Sequence, residues 1–217
     1  MSGTSARSTG SSGCDQRGTA DPNPLTMSKG RLEAFSDGVI AILITIMVLE
    51  LRAPHGSDLG SLRALLPQFA CYATSFAFLG IYWTNHHHML HAVRYVDGGI
   101  LWANMLLLFW LSLVPFVTAW IGDTHFAAAP VAVYGVVMLL SGFSYQLLAQ
   151  LLVARHGADS PLARAMGKDL KGRMSLLLYT AAVGFAFVSP LVSSLIYVVV
   201  AIMWIVPDRR IEKVLAE

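Results

Sequence analysis

Long apolar stretches separated by short polar segments run through most of this chain, and they predict helices that cross a membrane. A spanning helix needs about 20 mainly apolar residues. The predicted spans lie at residues 32–51, 68–90, 99–121, 129–153, 173–188 and 190–206. The pattern therefore predicts an all-α fold, with six transmembrane helices in one domain at residues 29–206.

The final apolar stretch, residues 174–206, is too long for one spanning helix. At about 1.5 Å per residue it would extend about 50 Å, whereas the hydrocarbon core is about 30 Å thick. Ser189 and Pro190 lie at its middle, and proline ends or kinks a helix at the preceding residue. We therefore predict two short helices here rather than one long helix.

The basic residues are distributed unevenly, and their distribution predicts an orientation. Six spans place both termini on one side of the membrane. Of the 15 lysine and arginine residues, only Arg52 and Arg63 fall in loops on the opposite side. Since cytoplasmic segments carry the excess of basic residues, we predict a multi-pass protein of the cell (inner) membrane with both termini cytoplasmic.

Composition also indicates an integral membrane protein, with the lipid bilayer as its surroundings. Hydrophobic residues make up 55% and charged residues 13% of the chain, whereas soluble domains contain about 25% charged residues. Residues 1–28 are rich in Ser, Gly, Thr and Pro, which predicts a disordered polar tail rather than a signal peptide. Met27 is an alternative start, and residues 207–217 are predicted to form a short cytoplasmic tail.

Sequence motifs for several other functions are absent. There is no glycine-rich phosphate loop, no nucleophile elbow and no pair of intramembrane carboxylates, so we expect no enzyme activity. The two cysteines, Cys14 and Cys71, are isolated and predict neither a disulfide framework nor a metal site. We expect no cofactor and no nucleic-acid partner, and the chain has no TVGYG-type selectivity filter.

The first predicted helix begins with charged residues directly before a membrane-length apolar run. Arg31 and Asp37 are costly in this position unless they are paired or solvated. They are six residues apart and lie on different helix faces, so they cannot form an i,i+4 pair. Arg31 and Glu33 can instead lie at the headgroup boundary. Asp37 lies deeper and is expected to find partners on other helices.

A single stripe of the first helix carries Gly38, Ile42, Thr45 and Leu49, with Ile46 beside it. Spacings of four, three and four residues keep these positions on one face. Spacing alone favours an ordinary helix–helix packing face, where Gly and Thr permit close approach. A face that lines a pore is the alternative.

The second predicted span ends in a polar cluster that contains several histidines. His87 and His91 have i,i+4 spacing and are able to share a metal ion, but no Cys, Asp or Glu lies near them in the sequence. We therefore predict hydrogen bonds between helices and no metal site. If the first two spans pack antiparallel, Asp37 comes close to four possible donors: Trp83, Asn85, His86 and His87. Asn104 on the third span is a further buried polar candidate.

Two segments together resemble a known family. The motif R-x-x-x-F-S-D, formed by Arg31, Phe35, Ser36 and Asp37, is followed by VIAILITIMVLEL, and residues 75–90 read SFAFLGIYWTNHHHML. Both resemble the transmembrane protein 175 family, which comprises the endolysosomal potassium channels and their prokaryotic relatives. The six-span plan matches one repeat of that family, so the resemblance covers residues 29–206.

The resemblance implies a cation channel that prefers potassium and is lined by first helices around a central axis. By motif position, it implies hydrophobic constrictions at Ile42 and Leu49 and a pore-lining threonine layer at Thr45. Animal members carry two repeats and pair up. Because this chain has one repeat, a homotetramer is implied.

We also predict that the polar residues near the start of the first helix form a structural network rather than an ion path. The predicted members are Arg31, Phe35, Ser36, Asp37, Trp83, Asn85, His86 and His87.

Two other functions remain open from the residues alone. One is a proton-coupled secondary transporter that uses Asp37 and the histidines, which would predict internal repeats and broken helices at the midplane. The other is a membrane protein that binds metal through the cluster from His86 to His91. Flux measurements in purified liposomes distinguish passive conduction, coupled uptake and no transport.

Overall fold

Helices account for every regular element in the part of the chain that the structure describes. The computed structural model describes residues 28–51, 53–54, 56–157, 160–166 and 169–205. The helices are α1 (Lys29–Leu49), α2 (Leu59–Ala64), α3 (Leu66–His91), α4 (Gly98–Ser112), α5 (Val114–Asp123), α6 (Ala128–His156), α7 (Pro161–Met166), α8 (Leu170–Phe185) and α9 (Pro190–Ile205). The predicted all-α class is confirmed. Apart from residue 28, the predicted tails lie outside the described residues.

Three helical segments of the described chain are long and apolar enough to cross a membrane. They are Lys29–Leu49, Gly98–Asp123 and Ala128–His156, and α9 is apolar but shorter. The protein is therefore a membrane protein with several apolar helices. The predicted number of six spans is not established by helix length and composition, and it stays a prediction.

Prolines divide two of the predicted apolar stretches. The third predicted span is made of α4 and α5, which meet at Leu113, and Pro115 occupies the first turn of α5. Pro190 is the first residue of α9 and follows the end of α8 at Phe185. Proline is tolerated in a first helical turn because its missing N–H would have no intrahelical partner there. The third predicted span is thus divided just before Pro115.

Short helices occupy two of the connections. Helix α7 lies in the connection between the fourth and fifth predicted spans. Helix α2 begins after Asp58, whose carboxylate accepts hydrogen bonds from the backbone N–H and the hydroxyl of Ser61. These two bonds stabilise the charged form and lower the pKa of Asp58 below its usual range.

Helix α1 packs on one side of the bundle. Its neighbours are α3, α4 and α5, whereas α8 and α9 pack on each other and on α6. Gly135 on α6 permits the close approach of α9, because a Cβ atom there would collide with the Tyr197 hydroxyl. That hydroxyl donates a hydrogen bond of 3.0 Å to the carbonyl of Val131. Contact between helices through a small residue is typical of membrane bundles.

Candidate functional site

The two faces of α1 have different surroundings within one protomer. The buried face consists of Leu32, Ser36, Ile40, Leu43 and Met47. The opposite face carries the sequence-predicted stripe of Gly38, Ile42, Thr45 and Leu49, with Ile46 at its edge. The side chains of Ile42 and Leu49 are 57% and 77% exposed. Helix packing within the chain therefore uses the face opposite the stripe. The stripe itself is not covered by the other described helices of the protomer.

Thr45 is the one hydroxyl-bearing residue of the stripe, and its hydroxyl bonds to its own helix. Its Oγ1–H donates a 2.9 Å hydrogen bond to the carbonyl of Ile42. Because the proton is used in this bond, the lone pairs of Oγ1 remain available on the exposed face. A hydroxyl oxygen in this state is able to act as a ligand for a cation.

A buried chain of hydrogen bonds joins α1 to α4 and α3 through three fully buried residues. The Asn104 amide donates a 2.9 Å bond to the Ser36 hydroxyl, which itself donates to the carbonyl of Leu32. The Asn104 carbonyl oxygen lies 2.7 Å from His86 Nε2. Since this oxygen only accepts, Nε2 carries the proton in the bond. Asn104, which was predicted from the sequence only as a buried polar candidate, is thus the central residue of this series of hydrogen bonds.

Asp37 contacts α3 through one of its sequence-predicted donors. Trp83 Nε1–H donates to the Asp37 carboxylate over 3.0 Å. Asp37 is partly buried, and Trp83 is 43% exposed. The Trp83 ring also stacks on the His87 ring, with centroids 6.0 Å apart. The carboxylate is therefore satisfied from a neighbouring helix, away from the exposed stripe.

Three residues of the predicted polar network are not brought into it within the protomer. Asn85 donates its amide to the carbonyl of Ile81, on its own helix. Phe35 is 50% exposed and lies near the stripe side of α1. Arg31 is exposed, and its side chain makes no hydrogen bond or ion pair with another described residue. Arg31 precedes Gly38 by seven positions, about two helical turns, so it lies on the stripe side of the helix.

A carboxylate lies beside two of the histidines, which the sequence analysis did not anticipate. Glu33 Oε1 is 3.1 Å from His87 Nδ1 and 3.9 Å from His91 Nδ1. The expectation that no acidic residue completes this cluster holds only along the sequence. Antiparallel packing of α1 and α3 supplies Glu33 from a distant position, and Lys29 Nζ donates to the carbonyl of His91 at 3.0 Å in the same region.

A second buried polar cluster lies nearer the start of α3. The Thr118 hydroxyl donates to Ser75 over 2.7 Å and also contacts the carbonyl of Val114, and Ser75 lies 3.0 Å from the Tyr134 hydroxyl. These residues join α3, α5 and α6. Their signal in the sequence is a hydroxyl in each of three apolar helices, which does not by itself identify partners.

Comparison with known proteins identifies the family. A family model described as "Endosomal/lysosomal potassium channel TMEM175" matches residues 31–115. A relative from Chryseobacterium sp. (strain P1-3), named as a potassium channel, is 49% identical over 191 residues, which cover 88% of this chain and 100% of the relative. Another potassium channel by name, from Streptomyces collinus, is 37% identical over 74% of this chain and 83% of its own length.

A solved structure has a similar fold. It is the crystal structure of a lysosomal potassium-selective channel TMEM175 homolog from Chamaesiphon minutus, with a TM-score of 0.72 and 32% identity. The match covers 83% of this chain and 97% of that chain. The family is one of ion channels and not of enzymes, and the resemblance carried by the R-x-x-x-F-S-D motif is confirmed. This chain belongs to the TMEM175 family.

Proposed function

We propose that this protein is a potassium-permeable channel, a homotetramer in which four copies of α1 surround a central pore. The observation that carries the proposal is the exposed stripe of α1. Ile42 and Leu49 are large apolar residues, yet they make little contact with their own chain. Relatives that match most of this chain are named potassium channels. These names support the proposal that the stripe lines an ion path.

Fourfold symmetry turns each residue of the stripe into a ring. Rings of Ile42 and Leu49, with Ile46 at the margin, narrow the path and exclude water, which raises the cost of ion entry. The ring of Thr45 lies between them along the helix. Its hydroxyl oxygens, with their protons donated to the carbonyl of Ile42, would replace part of the hydration shell of a potassium ion.

The polar residues on the other side of α1 hold the helix in position in this proposal. The bonds from Asn104 to Ser36 and from Trp83 to Asp37 fix the rotation of α1 about its axis. A fixed rotation keeps the stripe at the axis of the tetramer. Arg31, exposed in the protomer, is proposed to meet a neighbouring copy or interfacial water, and Phe35 lies at the same surface.

We also propose six spans, formed by α1, α3, α4 with α5, α6, α8 and α9, in the cell membrane with both termini cytoplasmic. The start of α1 lies at the end of α3, as the bond from Lys29 to His91 requires. The end of α6 lies there as well, since Arg155 pairs with Asp97 at 2.8 Å. Basic residues of separate segments thus share one side, which is the pattern of a cytoplasmic face.

Labelling of single cysteines tests this topology in a Cys14→Ala/Cys71→Ala background. Cysteines in place of Ser57 and Asp123 should react with an impermeant reagent in intact cells. A cysteine in place of Lys168, which lies outside the described residues, should not react. Labelling at position 168 in intact cells would contradict the six-span model.

Ionic current through planar bilayers tests the channel itself. Purified protein in a potassium/sodium gradient should give passive currents with a reversal potential shifted toward that of potassium. Uptake that requires a proton gradient would instead favour a proton-coupled transporter, and no flux at all would exclude both. Crosslinking in the membrane should give a ladder that ends at four copies.

A further inference from the structure

We propose that Glu33, His87 and His91 form a binding site for one divalent transition-metal ion of the zinc class, which would link the start of α1 to the end of α3. The three side chains come from two helices that are far apart in sequence. All three ligand atoms lie within 4.8 Å of one another. The site is contained within one protomer, so it needs no second copy to be complete.

The geometry of the three atoms suits a shared ion. In tetrahedral zinc sites, nitrogen and oxygen ligands lie about 2.0–2.2 Å from the metal, which places ligand atoms about 3.3 Å apart. The distances from Glu33 Oε1 to His87 Nδ1 and His91 Nδ1, 3.1 and 3.9 Å, bracket that value. An ion between the three groups would require only small side-chain adjustments.

The orientation of His87 is suited to coordination of a metal ion. Its Nδ1 atom is buried and makes no hydrogen bond to any group in the described part of the chain, although the Glu33 carboxylate is only 3.1 Å away. The carboxylate oxygen therefore lies off the direction in which an N–H would donate. A metal ion along the nitrogen lone pair, with the oxygen to one side, produces this arrangement.

The rings are held in place before any ion binds. The imidazoles of His87 and His91 stack with centroids 5.5 Å apart and an interplanar angle of 26°. The Trp83 ring also stacks on the His87 ring. Rings that are already ordered lose little freedom on binding, which favours affinity.

Ions in solution are able to reach the site, and its charge is suitable. The side chains of Glu33, His87 and His91 are 19%, 39% and 63% exposed. Glu33 supplies one negative charge, and the Lys29 ammonium is directed onto the carbonyl of His91. Water would occupy the fourth position, since no fourth His, Cys, Asp or Glu joins the group among the described residues. Three protein ligands with an open position are a known zinc arrangement.

Isothermal titration of tag-free protein with zinc chloride tests the proposal. The wild type should bind one zinc ion per chain. Glu33→Gln and His91→Ala should each weaken binding by at least about tenfold, because the loss even of residues behind the ligands costs about 10–100-fold. His125→Ala is the matched control, since His125 is exposed and lies on the loop after α5, and it should bind zinc like the wild type.

Thermal unfolding gives a second measurement, because a ligand that binds the native state raises the melting temperature. Zinc should raise the melting temperature of the wild type and of His125→Ala but not of Glu33→Gln, which preserves the size of the side chain. Absence of zinc binding to the wild type would overturn the proposal, as would unchanged binding in both ligand variants. Neither measurement involves ion flux, so the site and the channel function stand or fail separately.

Discussion

The first and second halves of α1 differ in how they are joined to the rest of the protomer. In the first half, Glu33, Ser36 and Asp37 contact polar groups of α3 or α4. In the second half, the one polar side chain is Thr45, and it bonds to its own backbone. The second half therefore packs only through apolar side chains, and its stripe remains exposed.

The two halves of α1 therefore have different roles: the first fixes the orientation of the helix, and the second presents the exposed stripe. Hydrogen bonds are directional, so contacts to Ser36 and Asp37 fix the rotation of α1 about its axis. Apolar packing is not directional and by itself would tolerate rotation. The polar first half thus determines which face of the apolar second half stays exposed on the protomer. That face carries the residues that are available to line a pore.

The largest expected effect on stability distinguishes the two faces of the second half. Met47 is 2% exposed and Leu49 is 77% exposed in the protomer. Met47→Ala should lower the free energy of unfolding by about 2–5 kcal/mol, because it leaves a cavity in packed surroundings. Leu49→Ala, the matched variant, should leave melting in detergent nearly unchanged while it widens the proposed pore and raises conductance.

An opposite ranking would contradict the assignment of the faces. If Leu49→Ala melts far below the wild type with unchanged conductance, the stripe is a packing surface between copies. Ile42→Ala provides a second variant of the same kind, since Ile42 is 57% exposed.

The next effect concerns the buried hydrogen bonds of the first half. Asn104→Ala should lower the free energy of unfolding by about 1–3 kcal/mol, because it leaves His86 Nε2 buried without a partner. Asn85→Ala is the control, since within the described residues the Asn85 side-chain amide bonds only to the carbonyl of Ile81 on its own helix. Chemical denaturation of the two variants should differ by most of the Asn104 effect. Equal free energies of unfolding in the two variants would show that these buried hydrogen bonds do not add to stability.

The sequence predicted the helices better than their contacts. Apolar runs and Pro190 indicated the approximate bounds of the long helices, because those features act locally, but they did not indicate α2, α7 or the division between α4 and α5. Periodicity also identified the stripe of Ile42, Thr45 and Leu49, although it did not decide whether the stripe packs or stays exposed. That choice depends on which of two apolar faces has the better partner, and a partner on another helix leaves no trace in spacing.

Polar contacts between helices were predicted only in part, for the same reason. The region near Trp83 was anticipated as a neighbour of Asp37, since antiparallel packing joins the ends of adjacent helices. Asn104 as the link to Ser36, and Glu33 beside His87, depend on the rotation and register of three helices. These quantities are fixed by the sum of all packing contacts and are not encoded at any one position.

A smaller effect is expected at Asp37. Asp37→Asn keeps an oxygen that accepts from Trp83, so the bond weakens from a charge-assisted one to a neutral one, a change of about 1 kcal/mol. Assembly and melting temperature should decline slightly, with ion selectivity unchanged. A stable tetramer with inverted charge selectivity would mean that Asp37 lines the pore.

The smallest effect on stability and the sharpest effect on function are expected at Thr45. Thr45→Val keeps the shape of the side chain and removes the hydroxyl, whose only bond within the described chain is to the carbonyl of Ile42. The melting temperature should therefore stay close to that of the wild type. If the hydroxyl oxygens contact a partly dehydrated cation, their removal should shift the reversal potential in a potassium/sodium gradient toward zero. Thr74→Val is the matched control, because the hydroxyl of Thr74 on α3 also bonds to its own helix, at the carbonyl of Ala70, and Thr74 is only partly buried. An unchanged reversal potential in Thr45→Val, with unchanged conductance in Ile42→Ala and Leu49→Ala, would remove the second half of α1 from the ion path.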